Sequence, residues 1–235
     1  MVAVISAILV CGGVALCWSI RKTRRRQAAE NQLFLQNGFQ PCEGEKARLE
    51  AIVRSLRRSP EWEVRRAWKR TSMDGPVYWY EASAEGGRDH SRLAADEFLC
   101  TLRRPSKQPF VLYLKPQPFK NGFASRMLEK LIAVTSEVGL EALERPQNGP
   151  ATALLAAFGP KGARLGDLLD EATLDRLARG AEHGVFAIRG QDEHCALELL
   201  GHQYRKALGC TDWLDTWRFV QDVAAGATSV QHVSA

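Results

Sequence analysis

The sequence predicts an α+β fold, in which an N-terminal transmembrane helix precedes a cytoplasmic domain with an antiparallel or mixed sheet and packed helices. Three observations support this class. The first 20 residues carry no charge, the hydrophobic period then changes between 3.6 and 2, and predicted strands follow one another without strict βαβ alternation. The 235 residues are 45% hydrophobic and 25% charged, a balance that excludes a wholly disordered or collagen-like chain.

Residues 1–20 predict a membrane-spanning helix. Nine of these twenty residues are valine, isoleucine or leucine, and a helix of this length rises about 30 Å, the thickness of the hydrocarbon core of a bilayer. Trp18 stands near the end of the segment, where an indole ring is favoured at the membrane boundary. A cleaved signal peptide is the competing interpretation, but no basic residue precedes the apolar segment, and Ala15-Leu16-Cys17 is a poor cleavage sequence.

A basic block follows the apolar segment directly and predicts its orientation. The block consists of Arg21, Lys22, Arg24, Arg25 and Arg26. Under the positive-inside rule these charges stay in the cytoplasm, so the N-terminus is expected outside the inner membrane and the main domain inside the cell. The block is also the predicted site of contact with anionic membrane lipids. Positive charge is concentrated here, because residues 1–70 carry 14 Lys and Arg against 6 Asp and Glu, whereas the remainder carries 18 against 21.

The chain is predicted to have four segments. They are the transmembrane helix (1–20), a basic juxtamembrane segment and linker (21–44), the cytoplasmic α+β domain (45–225) and a flexible tail (226–235). Gly38 and Pro41 mark the end of the polar linker, and the tail lacks hydrophobic periodicity. Because the cytoplasm is reducing, the cysteines beyond the membrane segment are expected to remain free thiols. These are Cys42, Cys100, Cys195 and Cys210.

The first half of the domain predicts one helix and then four antiparallel strands. Apolar residues recur at helical spacing over Glu45–Ser59, and Pro60 is expected to stop this helix. The period then becomes 2, which predicts a hairpin with an aromatic face across the turn Met73–Pro76. A loop is expected to join the second pair of strands, Glu97–Arg103 and Phe110–Lys115.

The second half of the domain predicts alternating helices and strands. The elements are a helix (Phe119–Gly139), a strand (Thr152–Phe158), one or two short helices (Leu165–Arg179), a hairpin of two strands (Val185–Arg189 and Cys195–Leu199) and a helix from Thr211 or Asp212 to about Ala225. Thr211 or Asp212 is a suitable N-cap for the last helix.

The order of elements from Leu154 to Leu199 resembles that of uncharacterised bacterial single-pass membrane-anchored domains of unknown function. The shared features are a strand that ends in Phe-Gly, a polar loop, a leucine-rich helix and two further strands. The resemblance rests on Phe158, Leu169, Leu174, Leu177, Phe186 and Leu197. It implies a membrane anchor and no particular reaction, and the Ala- and Arg-rich composition is typical of a bacterial protein.

No motif predicts a catalytic centre, a bound metal or a cofactor. Histidines and cysteines between His183 and Cys210 have the ligand types of a zinc site, but they form no C-x₂-C or H-x₃-H pair. Aromatic residues alternate with arginines in the first hairpin, as in platforms that stack single-stranded nucleic acid. The same rings are expected to pair across strands and cover a core, so nucleic acid is not an expected partner.

The sequence therefore predicts a single-pass membrane protein whose cytoplasmic domain binds a partner protein or senses a small ligand, with membrane lipids as a further partner. The apolar segment and the lack of catalytic motifs support a non-enzymatic role. The alternative is a membrane-tethered hydrolase or transferase with a site among polar residues of the C-terminal half. These residues are His183, Asp192, Glu193, His194 and His202.

Overall fold

The computed structural model describes residues 27–72, 75–85, 92–115, 138–144, 153–199 and 214–225, together with Arg21 and Arg25. In these ranges the chain is α+β with a mostly antiparallel sheet, which confirms the predicted class at this level. None of their helices is long and apolar enough to cross a membrane. The predicted transmembrane helix (1–20) and tail (226–235) lie outside the described residues. The chain forms two compact units, Met1–Gln40 and Pro41–Ala235.

In the first unit, residues 27–36 are helical. Phe34 and Phe39 are fully buried, and their rings meet edge to face with centroids 5.6 Å apart. Gly38 lies between them at a φ of 76°, a left-handed conformation that commonly ends a helix. The helix therefore ends at a glycine, and the chain reverses direction so that the two rings pack edge to face.

The second unit combines a curved sheet with helices. β1 (Gln40–Pro41) includes the last residue of the first unit and the first residue of the second. The other strands are β2 (Glu63–Ser72), β3 (Gly75–Glu85), β4 (Arg92–Leu114), β5 (Glu141–Ala142), β6 (Leu154–Gly159) and β7 (Val185–Leu199). The helices are α1 (Lys46–Arg57), α2 (Leu165–Leu168), α3 (Glu171–Ala178) and α4 (Leu214–Ala225), with 3-10 turns at Glu43–Glu45 and Arg179–His183. The strand order is β1-β2-β3-β4-β6-β5, and β7 pairs with β4. The predicted helix over Phe119–Gly139 lies, up to residue 137, outside the described residues.

Helices cover both faces of the sheet. On one face, Leu49 and Val53 of α1 belong to the same buried cluster as Tyr80 of β3 and Leu99 of β4. On the other face, the Phe98 ring lies 6.0 Å from that of Trp217 in α4. Because successive residues of a strand point to opposite faces, β4 supplies side chains to both layers.

α1 ends before the proline that was expected to stop it. Its last helical residue is Arg57, and Arg58 takes a left-handed φ of 53°. Nη1 of Arg58 donates to the carbonyl oxygens of Val138 and Gly139, at 3.0 Å each. These bonds attach the end of α1 to a distant turn, so a tertiary contact accompanies the termination of the helix.

Two of the predicted strand pairs are instead two long bent strands. β4 runs through the predicted loop between Glu97–Arg103 and Phe110–Lys115, and β7 runs through the predicted hairpin turn at residues 190–193. The two turn sequences lie opposite each other, since Ser106 pairs with Asp192 and the register shifts on both sides of this pair. Bulges of this kind bend a ladder without ending it. Each of the two strands therefore continues through residues that were predicted to reverse the direction of the chain.

The bend in β7 is sharp. Nη1 of Arg189 lies 2.5 Å from Oε2 of Glu198, although nine residues of extended strand would separate the two positions by about 30 Å. Asp192 lies within this bend at a φ of 52°, a left-handed conformation that Asp tolerates better than most residues. The bend brings the two ends of β7 together.

Candidate functional site

Two of the five residues predicted to contact membrane lipids are described. Arg21 and Arg25 are helical and exposed, and their spacing of four residues places them on one side of a helix. The other three, Lys22, Arg24 and Arg26, lie outside the described residues.

A cavity of about 250 Å³ lies between α1 and the bend of β7. It is lined by Ala51, Ile52, Ser55, Leu56, Gln191, Asp192 and His194. We refer to this cavity as the α1–β7 pocket. Its α1 side is mainly apolar, whereas its β7 side carries an amide, a carboxylate and an imidazole, and this combination is typical of small-molecule sites.

Three polar side chains of the α1–β7 pocket are unpaired. Within the described ranges, Ser55, Gln191 and Asp192 make no side-chain hydrogen bond or ion pair. His194 Nε2 lies 3.9 Å from Oε1 of Glu193. The pocket therefore offers a hydroxyl, an amide and a carboxylate that form no hydrogen bond or ion pair with another described side chain.

The structure separates the residues of the predicted hydrolase or transferase site. Asp192 and His194 line the α1–β7 pocket, and Glu193 is next to them with 61% of its side chain exposed. His183 instead stacks on Phe219 of α4, with ring centroids 5.1 Å apart, so it belongs to the layer on the other face of the sheet. His202 lies outside the described residues.

The pocket lacks the contacts of an activated nucleophile. Ser55 and His194 both line it, but no hydrogen bond joins these two side chains, and none joins His194 to Asp192. A nucleophilic hydroxyl needs a base within hydrogen-bond reach, and that base needs an orienting partner. Among the described residues, the pocket therefore holds no preformed pair of a nucleophile and a base.

A buried ionic network adjoins the same end of α1. Arg57 Nη2 donates to Glu97 Oε1 and, at 3.0 Å, to Glu198 Oε2. Arg189 donates to the same Glu198 oxygen at 2.5 Å, and the Tyr80 hydroxyl donates to Glu97 Oε2. Two guanidinium groups and two carboxylates thus compensate each other's charge and join α1, β3, β4 and β7.

The network is deeply buried. The exposed fraction of the side chain is 1% for Glu97, 7% for Arg189, 9% for Arg57 and 19% for Glu198. The Arg57 guanidinium also lies 3.8 Å from the centre of the Trp62 ring, a cation–π contact. The buried position of Arg57 follows from the carboxylates that β4 and β7 bring beneath α1.

The two guanidinium groups determine the ionisation of Glu198. Burial by itself raises the pKa of this carboxyl, but attraction to Arg189 and Arg57, together with the hydrogen bonds from both, outweighs burial and lowers the pKa below its usual value. A glutamate with a lowered folded-state pKa contributes stability above the unfolded pKa of about 4.3, and this contribution is lost as the pH falls through the folded-state pKa.

Glu198→Gln is therefore expected to make the free energy of unfolding less dependent on pH in the acidic range. The free energy of unfolding of the wild-type chain should fall as the pH drops from about 5 through the lowered folded-state pKa of Glu198, and the variant should lose the part of this slope that comes from Glu198. Urea titrations across this range, followed by tryptophan fluorescence, measure the slopes. Glu61→Gln, at an exposed position, should keep the wild-type slope, and a Glu198→Gln profile parallel to it would contradict the assignment.

The aromatic residues of the first hairpin belong to the core. Trp62, Trp68, Tyr78, Trp79 and Tyr80 are each at most 8% exposed. Cations lie over three of the rings, with Arg57 over Trp62, Arg66 5.4 Å from the Trp79 centroid and Lys69 5.6 Å from that of Tyr78. Buried rings have no open face on which a base could stack.

The described cysteines are buried free thiols, namely Cys42, Cys100 and Cys195. Cys100 and Cys195 face each other across β4 and β7, and a hydrogen bond with Cys100 together with burial raises the pKa of Cys195. Such thiols are poor nucleophiles. No three His, Cys, Asp or Glu side chains of the described ranges are close enough together to hold a metal ion, and Cys210 lies outside these ranges.

Comparisons with known proteins give little guidance. No family model matches the chain, and no curated protein matches it. Among solved structures, the crystal structure of the mycobacterial trehalose monomycolate transport factor A, TtfA, is similar over 68% of this chain and 72% of that chain. The sequence identity is 11% and the TM-score is 0.34, values that transfer neither fold nor function.

Proposed function

We propose that this chain is a single-pass membrane protein, with its N-terminus outside the inner membrane, whose cytoplasmic α+β domain binds a partner protein or a small ligand. The observation that carries the proposal is the direct succession of 20 uncharged residues and five positive charges within six positions. A hydrophobic segment of this length inserts favourably, and a basic cluster resists translocation.

The α1–β7 pocket supports the binding part of the proposal. It has an apolar side from α1, and its polar side chains at Ser55, Gln191 and Asp192 pair with no other side chain in the part of the chain that the structure describes. No hydrogen bond in it links a nucleophile to a base. A domain held at the membrane with such a pocket is suited to recognition, and its neighbouring buried ionic network keeps α1 in place against β7.

The proposed orientation predicts the outcome of C-terminal fusions. In a bacterial host, a fused green fluorescent protein should be fluorescent, and a fused alkaline phosphatase, which requires the periplasm, should be inactive. Both fusions should sediment with membranes and remain there after a carbonate wash. Active phosphatase, or a chain that stays in the supernatant, would overturn the proposal.

A matched variant tests the role of the basic block. Replacing Arg21, Lys22, Arg24, Arg25 and Arg26 with glutamine removes the charge bias and leaves the apolar segment intact. The phosphatase fusion of this variant should gain activity because part of the population inverts. The same number of substitutions at exposed arginines of the folded domain should leave the orientation unchanged.

A further inference from the structure

We propose that the α1–β7 pocket binds an alkylammonium group, that is, a primary amine carried on a short apolar chain. This inference rests on the proposed function and names the ligand class of that same domain. The ammonium group would bind the Asp192 carboxylate, with the Ser55 hydroxyl and the Gln191 amide oxygen as further acceptors. The chain would lie against Ile52 and Leu56.

The shape of the pocket supports an amphiphilic ligand. Ala51, Ile52 and Leu56 form an apolar wall on α1, beside Ser55 of the same helix, and Gln191, Asp192 and His194 line the pocket from the bend of β7. A cavity of about 250 Å³ accommodates a ligand of a few heavy atoms with one polar end. Burial of methylene groups against such a wall is favourable, so the chain and the charged end would both add to affinity.

The local charge supports a cation. Asp192 is an exposed carboxylate, and no cationic side chain of the described ranges pairs with it. The nearby cations of α1 are engaged elsewhere, since Arg54 pairs with Glu50 at 3.6 Å and Arg57 belongs to the buried ionic network. No Lys or Arg is among the lining residues, and Asp192 is the one carboxylate there; His194 is the other titratable side chain of the lining.

The same residues favour an amine over a metal ion. Hard cations such as Ca²⁺ take six to eight oxygen ligands, usually from several carboxylates. The pocket lining contains a single carboxylate and an apolar wall. An ammonium group needs only three acceptors for its three N–H donors, which is the number that Asp192, Ser55 and Gln191 provide.

The backbone at Asp192 has a left-handed conformation. Asp192 is one of two non-glycine residues with positive φ in the described ranges, at 52°. It lies opposite Ser106 at the shift in the β4–β7 register. Strained conformations of this kind persist where the surrounding structure enforces them and are common at ligand sites.

Titration calorimetry of the full chain in detergent micelles tests the proposal with n-butylammonium chloride as the probe. We expect saturable binding with a Kd on the order of millimolar, since five heavy atoms support only modest affinity. n-Butanol and butyrate, which match the chain but lack the positive charge, should bind at least about tenfold more weakly. Equal binding of the three probes, or no saturable binding of n-butylammonium, would overturn the proposal.

Asp192→Asn removes the charge while keeping a side chain that tolerates left-handed φ. The variant should bind n-butylammonium at least about tenfold more weakly, with an unchanged circular dichroism spectrum. Asp222→Asn, at an exposed position on α4, should bind like the wild type. Unchanged affinity in Asp192→Asn would contradict the assignment, and Ser55→Ala provides a second variant, which should bind a few-fold more weakly.

A second titration distinguishes the source of the amine. A short blocked peptide with a central lysine presents the same group as a side chain of a partner protein, whereas n-butylammonium represents a free amine. Tighter binding of the peptide would identify a protein partner, and binding of n-butylammonium alone would identify a small amine; both outcomes support the pocket assignment. Failure of amine binding with C-terminal fusions still cytoplasmic would leave the proposed membrane topology standing and refute only this inference.

Discussion

Glu97→Gln is expected to lower the free energy of unfolding by about 3–5 kcal/mol. The Glu97 side chain is 1% exposed, and it accepts hydrogen bonds from Arg57 and from the hydroxyl of Tyr80. The substitution keeps the shape of the side chain but leaves two buried guanidinium groups with a single carboxylate. Urea unfolding of the full chain in micelles, followed by the fluorescence of its 6 tryptophans, measures the loss.

Two further variants separate charge from shape in this network. Glu63→Gln changes an exposed glutamate of β2 and should alter stability by less than about 0.5 kcal/mol. Arg57→Met combined with Glu97→Gln leaves Arg189 and Glu198 as a compensated pair at 2.5 Å. This double variant should therefore be less destabilised than the sum of its two single variants. Additive losses, or a Glu97→Gln effect as small as the Glu63→Gln effect, would show that the network does not couple these charges.

Gly190→Ala is expected to destabilise the domain by about 1–3 kcal/mol through overpacking. Gly190 pairs with Phe110 where the β4–β7 ribbon bends, and a Cβ atom at Gly190 would overlap the Phe110 ring, which is 1% exposed. Neither strand can yield easily, because Phe110 is enclosed in the core. Thermal unfolding by circular dichroism gives the change in Tm, and urea unfolding gives the change in free energy.

Gly166→Ala is the matched control for this substitution. No atom lies within 4 Å of a Cβ added at Gly166, and the residue belongs to α2, so alanine should be neutral or stabilise by up to about 1 kcal/mol. Combining Gly190→Ala with Phe110→Leu should restore part of the loss, since the smaller side chain makes room for the new methyl group. If the double variant lost as much stability as the sum of the two single variants, the steric explanation would be contradicted.

Local periodicity was sufficient for several elements of the fold. The apolar spacing of α1 predicted the buried positions of Leu49, Val53 and Leu56, all of which lie in the core. The change to period 2 predicted the β2–β3 hairpin, whose register runs from Ser72 and Gly75 outward, although the rings lie on both of its faces and not on one. In both cases the deciding interactions are between residues close in sequence, so the pattern contains the necessary information.

Tertiary structure decided where β4 and β7 bend and which residues line the α1–β7 pocket. Pro105, Pro109 and Gly190 are turn-forming residues, but whether such residues reverse a chain or bend a ladder depends on the strand that lies opposite. The sequence singled out Asp192 and His194 as candidate site residues, yet it could not indicate that Ser55 and Ile52 of α1 face them. The docking of a helix on a sheet determines that contact.

By itself, the sequence determined the α+β class, the amphipathic helix and first hairpin, and the separation of an uncharged segment and a basic block from a domain of nearly balanced charge. Those properties follow from composition and from spacing over a few residues. Only the tertiary structure decided that Arg57, Glu97, Arg189 and Glu198 form one compensated network and that β7 turns back toward α1. Opposite charges distant in sequence become partners only when the strands that carry them are paired, because a buried charge is stable only beside its counter-charge.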